Sequence, residues 1–539
     1  MNSVAKKLWG YIGGINGLLL ILYIIFIFST AVITSSNFSK FYFVVSEILI
    51  TVISVIVCPK IIKYISNINI KQGAHSIRNN KSLFFLKLSF YIIPLCLFFV
   101  YYFAYYPGGF SPDSISQYTQ AINNQYNDWH PVIQTLFAFK LPLALTGGWI
   151  GSIVLFQIIC FSAVLGYSFN TIFKFTNLKY TVLSMIFVLL NPQIGYIAMY
   201  PWKDISFAIG ALLLLTYSLK IYYSKGYWIN KPINIILFII TASLTTLFRH
   251  NALLFTIPLV AAVLFYLAKK RYLIRGLVIC LCIIVLCLGI KIPLYSAIGV
   301  TSPDKRQIET LGLPMTIIGA VVTHTPEALD EETREFAYKV APKEVWEEKY
   351  KDGSYNAVKW DDRTNNDVIE EYGTQKVVSM MFKSINASKR VALTSLIKLT
   401  DATYSLTDDY DRFIYPSIAE NDYSISQTIN GRLAAICEAY RDFIKDFFSY
   451  PFLHLGFLHL ILIVSILSKC KLNKIKDWKG ILFIVPVFTY NFGTTILLTG
   501  IDDATRFFFY TFILIPTLLV FLYRNNEERS SDIKIQNAI

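Results

Sequence analysis

The stretch YYPGGFSPDSISQYTQAINNQYNDWHPVIQTLF, Tyr105 to Phe137, interrupts an apolar chain with a Pro-Gly-Gly turn, an acid at Asp113 and a Trp-His-Pro triplet at Trp129 to Pro131. Its reading depends on where it sits relative to a membrane. Of 539 residues, 55% are hydrophobic and 16% charged, with a mean hydropathy of +0.50; soluble proteins average about 25% charged residues. Apolar runs of roughly 20 residues, the length needed to cross about 30 Å of hydrocarbon, recur along nearly the whole chain. The pattern predicts an all-α polytopic membrane protein rather than a barrel.

Hydropathy predicts about twelve spans, near 11–33, 41–62, 86–106, 149–172, 181–200, 205–222, 233–249, 252–268, 272–297, 452–468, 480–500 and 507–523. If each crosses once, Lys6 and Lys7, the run Lys60 to Lys87, Lys174 and Lys179, Lys225 and Lys231, Lys269 to Arg275, Lys469 to Lys479 and Arg524 share one side. The positive-inside rule makes that side the cytoplasm and puts both termini there. The net charge of +14 thus reports orientation, not a nucleic-acid partner. The first apolar run exceeds the roughly 7 to 15 residues of a signal-peptide core and reads as a retained anchor. The eight cysteines form neither a disulfide framework nor a zinc spacing.

The opposite face receives the opening stretch, PWKD (Pro201 to Asp204), RHN (Arg249 to Asn251), a polar segment over 300–450 and DDATR (Asp502 to Arg506). Four parts follow: 1–85, two spans and a basic loop; 86–299, a core whose first outer loop is 107–148; 300–450, an outer domain or lid; and 451–539, three spans and a cytoplasmic tail. The outer segment is too long for a connector, and Val377, Val378, Met381 and Ile385 recur at helical spacing.

Ser111-Pro112-Asp113 has the form of a helix start, with a serine cap, proline at the first position and an acid in the first turn. Ile115, Tyr118, Thr119 and Ile122 then give one face suited to the bilayer surface or to neighbouring spans. A carboxylate in a first turn gains about 0.3 to 1 kcal/mol from the helix dipole. The same position keeps it ionised, as a general base requires, while weakening it. His130 is either an interfacial polar tip or a group that donates to a phosphate or orients an acceptor.

Lys203, Arg249, His250 and Arg506 come from the ends of three spans on the outer side. Together they suit a lipid phosphate, which Arg binds bidentately and Lys binds as a point charge. Singly they fit interfacial snorkelling or ion pairs with Asp204 and Asp502. Asp204, Asp502 and Asp503 are candidates for orienting an acceptor. The Asp502-Asp503 pair suits a solvated loop better than a metal, so no metal ligand and no cofactor is assigned, although a divalent cation is compatible with the pair. Asp408, Asp409 and Asp411 read as solvated acids. Glu47 is an acid inside an apolar run, where such groups are costly, and fits a hydrogen-bonded structural role.

The pattern resembles the GT-C superfamily of glycosyltransferases that use lipid-linked sugars, which includes protein O-mannosyltransferases and aminoarabinose transferases of lipid A. The matching elements are SPDSISQY with Asp113 and DWHPVIQTL with His130-Pro131, over a common core of Leu86 to Gly299. Two spans precede that core, and Ser114 stands where the family commonly has a second acid. A group of bacterial membrane proteins with PWKD- and RHN-like elements is also similar but implies no activity.

The resemblance implies transfer of a sugar, with inversion, from a polyprenyl-phosphate donor to a glycan, lipid or protein acceptor of the cell envelope. The reaction would occur on the outer face of a bacterial cytoplasmic membrane. Asp113 would be the general base, and Lys203, Arg249 or Arg506 would stabilise the leaving phosphate. A polymerase or ligase of lipid-linked glycans would share this chemistry. A lipid or polysaccharide transporter predicts polar groups and broken helices near the midplane, of which Asn191-Pro192 is one candidate. A purely structural anchor would not need so many outer polar groups.

Overall fold

The computed structural model describes residues 80–268, 272–302, 310–405, 414–448, 454–472, 478–497 and 504–522, and it is almost wholly helical. Among the described residues, six helices are long and apolar enough to cross a membrane: Lys81–Ala104, Gly151–Phe175, Lys203–Tyr223, His250–Ala268, Leu273–Ala297 and Lys479–Leu497. The chain is an all-α, membrane-embedded protein. The expected spans 11–33 and 41–62 lie outside the described residues, as do Glu47, Asp408, Asp409, Asp411, Asp502, Asp503 and the C-terminal tail.

Helix α1 (Asn80–Ala104) leads into strand β1 (Tyr105–Tyr106), and helix α2 (Pro112–Asn123) follows the Pro-Gly-Gly turn. The apolar helix α3 (Val132–Leu145) starts behind Pro131 and contains one π-helical turn at Leu136–Lys140. Helix α4 (Gly151–Phe175) packs along α1 and against α7 (Lys203–Tyr223). The expected span 181–200 is divided: α5 (Leu178–Leu189) ends, Asn191 caps the next turn through its side chain, and α6 (Pro192–Ile197) begins with Pro192. Proline cannot donate to the preceding turn and pushes the residue before it out of the helical region, so the break falls there. Helices α8 (Pro232–Leu247), α9 (Leu253–Ala268) and α10 (Leu273–Ala297) complete this part.

Residues of the segment 310–448 contribute to two separate cores. Helices α11 (Gly312–His324), α12 (Glu331–Val340), α13 (Lys343–Lys349), α14 (Thr374–Ala387) and α15 (Lys389–Thr400) enclose their own core around Trp346, Tyr355 and Met380. Helix α11 is apolar because it is the buried centre of that domain, and it has only 13 residues. Residues 414–430 then return to the bundle, where strand β2 (Thr428–Ile429) pairs antiparallel with β1. Helix α16 (Gly431–Phe448) packs on α1. Helices α17 (Leu455–Leu472), α18 (Val485–Leu497) and α19 (Ala504–Phe521) follow, with α19 against α7.

Candidate functional site

The Pro-Gly-Gly turn positions the site. Gly109 donates its N–H to the Met199 carbonyl at 2.9 Å, and Gly108 has φ +119°. A Cβ on Gly109 would lie 2.5 Å from the Tyr200 ring, and one on Gly108 would lie 2.6 Å from the Met199 oxygen. Only glycine lets these two backbones approach so closely. Their apposition brings the start of α2 beside the start of α7. Ser111 caps α2 and accepts a hydrogen bond from Trp202 Nε1 at 2.8 Å, so PWKD and SPD are joined at their first turns.

Four elements then converge on Asp113. Arg506, from the first turn of α19, donates through Nη2 to Asp113 Oδ2 at 2.5 Å and through Nε to Asp204 Oδ2 at 2.8 Å. Arg249 pairs with the other oxygen of Asp204. Lys203 Nζ lies 3.0 Å from His130 Nδ1 and 3.9 Å from Asp113 Oδ2. His130 Nε2 is 3.9 Å from Asp113 Oδ1. The Arg506 guanidinium also lies over the Trp202 ring at 4.6 Å.

The two carboxylates differ. Asp204 is 1% exposed and is held between two guanidinium groups; a buried charge persists only when paired in this way. Asp113 is 32% exposed at its side chain and is the more accessible acid. Burial works to raise its pKa, but the Lys203 and Arg506 charges overcome that and hold it well below the usual carboxylate range. His130 is pushed down to about 3, first by burial and then by the Lys203 charge, against the pull of Asp113. Its imidazole is therefore neutral near pH 7. Because Nδ1 accepts a hydrogen bond from the Lys203 ammonium, the ring hydrogen sits on Nε2, the nitrogen facing Asp113.

The structure thus brings Asp113, His130, Lys203 and Arg506 to one point, with Asp204 and Arg249 behind them. His250 stands at the edge and donates through Nε2 to the Asp128 carbonyl at 3.1 Å. Asp502 and Asp503 are among the undescribed residues. Among the described residues, no group of three or more His, Cys, Asp or Glu side chains could hold a metal ion.

Sequence reasoning missed three supports. Trp202 is both the tie to Ser111 and the floor under Arg506. Asp128 accepts from Tyr295 at 2.8 Å and from Lys291 at 3.1 Å, fixing the turn before His130. The third lies on α2, which buries its polar Ser114, Gln117 and Gln120 face rather than the Ile115 and Tyr118 face. Gln117 donates to Gln134 and, at 2.8 Å, to Thr135. Partners on α3 satisfy Gln117, and periodicity on α2 alone cannot show that.

An apolar cavity of about 280 Å³ begins beside this cluster, between α3, α4, α7 and α8. Its lining includes Phe137, Phe156, Ser206, Leu213, Leu244 and Phe248. Ser206 is two residues past Asp204, and Phe248 directly precedes Arg249. At 1.5 Å per residue, Leu213 lies about 15 Å along α7 from Lys203. Comparison with known proteins returned no matching family model, no similar curated protein and no similar solved structure.

Proposed function

We propose that the protein is a glycosyltransferase of GT-C type that moves a sugar from a polyprenyl-phosphate donor to a cell-envelope acceptor on the outer face of the cytoplasmic membrane. One observation carries this reading: a partly exposed carboxylate ringed by Lys203, His130 and Arg506, with an apolar cavity close by among the helices α3, α4, α7 and α8. A polyprenyl phosphate has the matching form, an anionic head on a long apolar chain. Soluble substrates would not need the cavity.

In the proposed reaction an acceptor hydroxyl donates to Asp113, whose proton-free state is secured by its cationic neighbours. The hydroxyl oxygen attacks the anomeric carbon as the bond from that carbon to the phosphate oxygen breaks. The proton passes to Asp113 and the electron pair to the phosphate. Lys203 and Arg506 stabilise the charge that develops there, which is preorganised electrostatics of the kind that often supplies the largest catalytic contribution. Engagement of Arg506 by the donor phosphate would also relax its hold on Asp113 and raise the basicity of that carboxylate. Asp204 keeps Arg249 and Arg506 in place throughout. The acceptor is a glycan, lipid or protein, and the ring contains no feature that selects one.

The test is release of polyprenyl phosphate from a panel of polyprenyl-phosphate sugars, in membranes holding equal amounts of wild type, Asp113→Asn or Lys203→Gln. Release by wild type, with at least a hundredfold loss in Asp113→Asn, supports the assignment. Equal release by wild type and Asp113→Asn removes the carboxylate from the chemistry. Absence of release from the whole panel overturns the donor class.

A further inference from the structure

Helix α16 is amphipathic, and its two faces meet different surroundings. Ala434, Cys437 and Ile444 are buried. On the same side, Glu438 lies 3.4 Å from the Tyr105 hydroxyl, and Arg441 lies over the Tyr415 ring at 4.5 Å. The opposite side presents Ile436, 61% exposed, and Phe443, 56% exposed. These two are seven residues apart, two turns along one face. Arg432 and Ala439 share that face.

The neighbours of this face are also apolar and exposed. Helix α16 packs on α1, where Val100 and Phe103 are exposed. Tyr440 donates its hydroxyl to the Leu190 carbonyl at 2.7 Å, tying α16 to the end of α5, where Ile186 and Leu190 are exposed. The Ile436 and Phe443 side therefore adds to the exposed apolar surface of α1 and α5.

Depth agrees with this placement. Cys437 and Tyr440 lie near Tyr101, three residues before the end of α1, or about 5 Å inside its outer boundary at 1.5 Å per residue. Interfacial helices sink their apolar face roughly 5 to 10 Å into the boundary between headgroups and acyl chains.

We infer that α16 is an interfacial helix seated in the outer leaflet, with Ile436 and Phe443 as its lipid anchors and Arg432 at headgroup level. Its occupant is the bilayer itself rather than a protein partner. Because β2, immediately before it, pairs with β1 beside the Pro-Gly-Gly turn, the leaflet also holds the segment bonded to that turn. This inference does not depend on the proposed reaction.

The experiment uses the full chain in vesicles of phosphatidylethanolamine and phosphatidylglycerol, oriented with the outer face exposed. Ile436→Cys, Phe443→Cys and Asp442→Cys are labelled with a membrane-impermeant maleimide, against the wild-type background of native cysteines. A thiol in hydrocarbon stays protonated and unreactive, so the first two are expected to label at least tenfold more slowly than Asp442→Cys. In parallel, wild type is photolabelled with a lipid-phase carbene reagent and digested with trypsin. Cleavage after Arg432, Arg441 and Lys445 isolates Ile436 and Phe443 on separate peptides, and both are expected to carry label. Aqueous labelling of Ile436→Cys and Phe443→Cys at the Asp442→Cys rate overturns the inference. Slow aqueous labelling without carbene label on either peptide also overturns it, and identifies a protein as the occupant.

Discussion

Asp113 and Arg506 are 393 positions apart in the chain, and their side chains meet at 2.5 Å. The same guanidinium reaches Asp204 at 2.8 Å, so one side chain joins the exposed acid to the buried one. The two carboxylates consequently have different duties, and their variants separate.

Replacement of Asp204 is expected to damage the fold. Asp204→Asn leaves Arg249 and Arg506 buried without their shared counter-charge, and breaking a buried pair from one side costs roughly 3 to 5 kcal/mol. Asp113→Asn removes a partly exposed charge and is expected to cost less stability than Asp204→Asn while abolishing transfer. Thermal unfolding in detergent checks this. A lower Tm for Asp204→Asn than for Asp113→Asn agrees, and equal values would show that the buried acid does not organise the arginines.

The pH dependence of stability has a defined sign. His130 has a folded pKa near 3, below its ordinary 6.5, so the unfolded chain takes up the proton first. Its contribution lowers stability as the pH falls from about 6.5 toward 3. Asp113 is depressed in the folded state. Its stabilisation is therefore complete above the ordinary carboxylate range and is lost only as the pH falls through its folded value. Of these two groups, only His130 changes its contribution between pH 7 and pH 5. Wild type should lose Tm over that interval by more than His130→Gln does, and identical slopes would show that His130 is not held neutral.

Most of the bundle could be read from hydropathy, because apolar length is a local property. Lys81–Ala104, Gly151–Phe175 and Leu273–Ala297 coincide closely with runs visible in the sequence. The break at Asn191-Pro192 was visible as a proline, but only the capped geometry divides that span. The candidate site was legible in its residue types and in their positions, since Asp113, Lys203 and Arg506 stand at the ends of apolar runs. The pairing of Arg506 with Asp204 was not legible, because Asp502 is nearer in sequence and equally charged. Helix α11 shows the complementary limit: its apolar run serves a domain core outside the membrane bundle, and composition cannot distinguish the two solvents.

The Pro-Gly-Gly turn should tolerate no side chain. In Gly109→Val the new atoms would meet the Tyr200 ring, whose hydroxyl also donates to the Tyr415 carbonyl at 2.5 Å and accepts from the Ser417 N–H at 2.9 Å. The loop must then move away from Met199 and carry Ser111 and Asp113 with it. A displacement of about 1 Å at a catalytic group costs around a hundredfold in rate. Transfer is expected to fall by that order while the protein still folds as a monodisperse species. Full activity in Gly109→Val would show that the apposition does not set the site.

The cavity beside the cluster makes the last prediction specific to the donor chain. Ala163 lines it and is exposed, so Ala163→Trp can fill space without opening the packed interior. Each methylene kept out of an apolar site forgoes about 0.8 kcal/mol. Exclusion of two should weaken binding of a long-chain polyprenyl phosphate roughly tenfold. Dimethylallyl phosphate, whose single isoprene unit leaves most of the cavity unused, should bind wild type and variant with closely similar affinity, because its phosphate still meets Lys203 and Arg506. Isothermal titration of both ligands against both proteins gives the comparison. A selective loss for the long chain places the isoprenoid in the cavity. Equal losses for both would mean that the substitution disturbed the charged ring, and unchanged affinity for both would direct the chain along another face of the bundle.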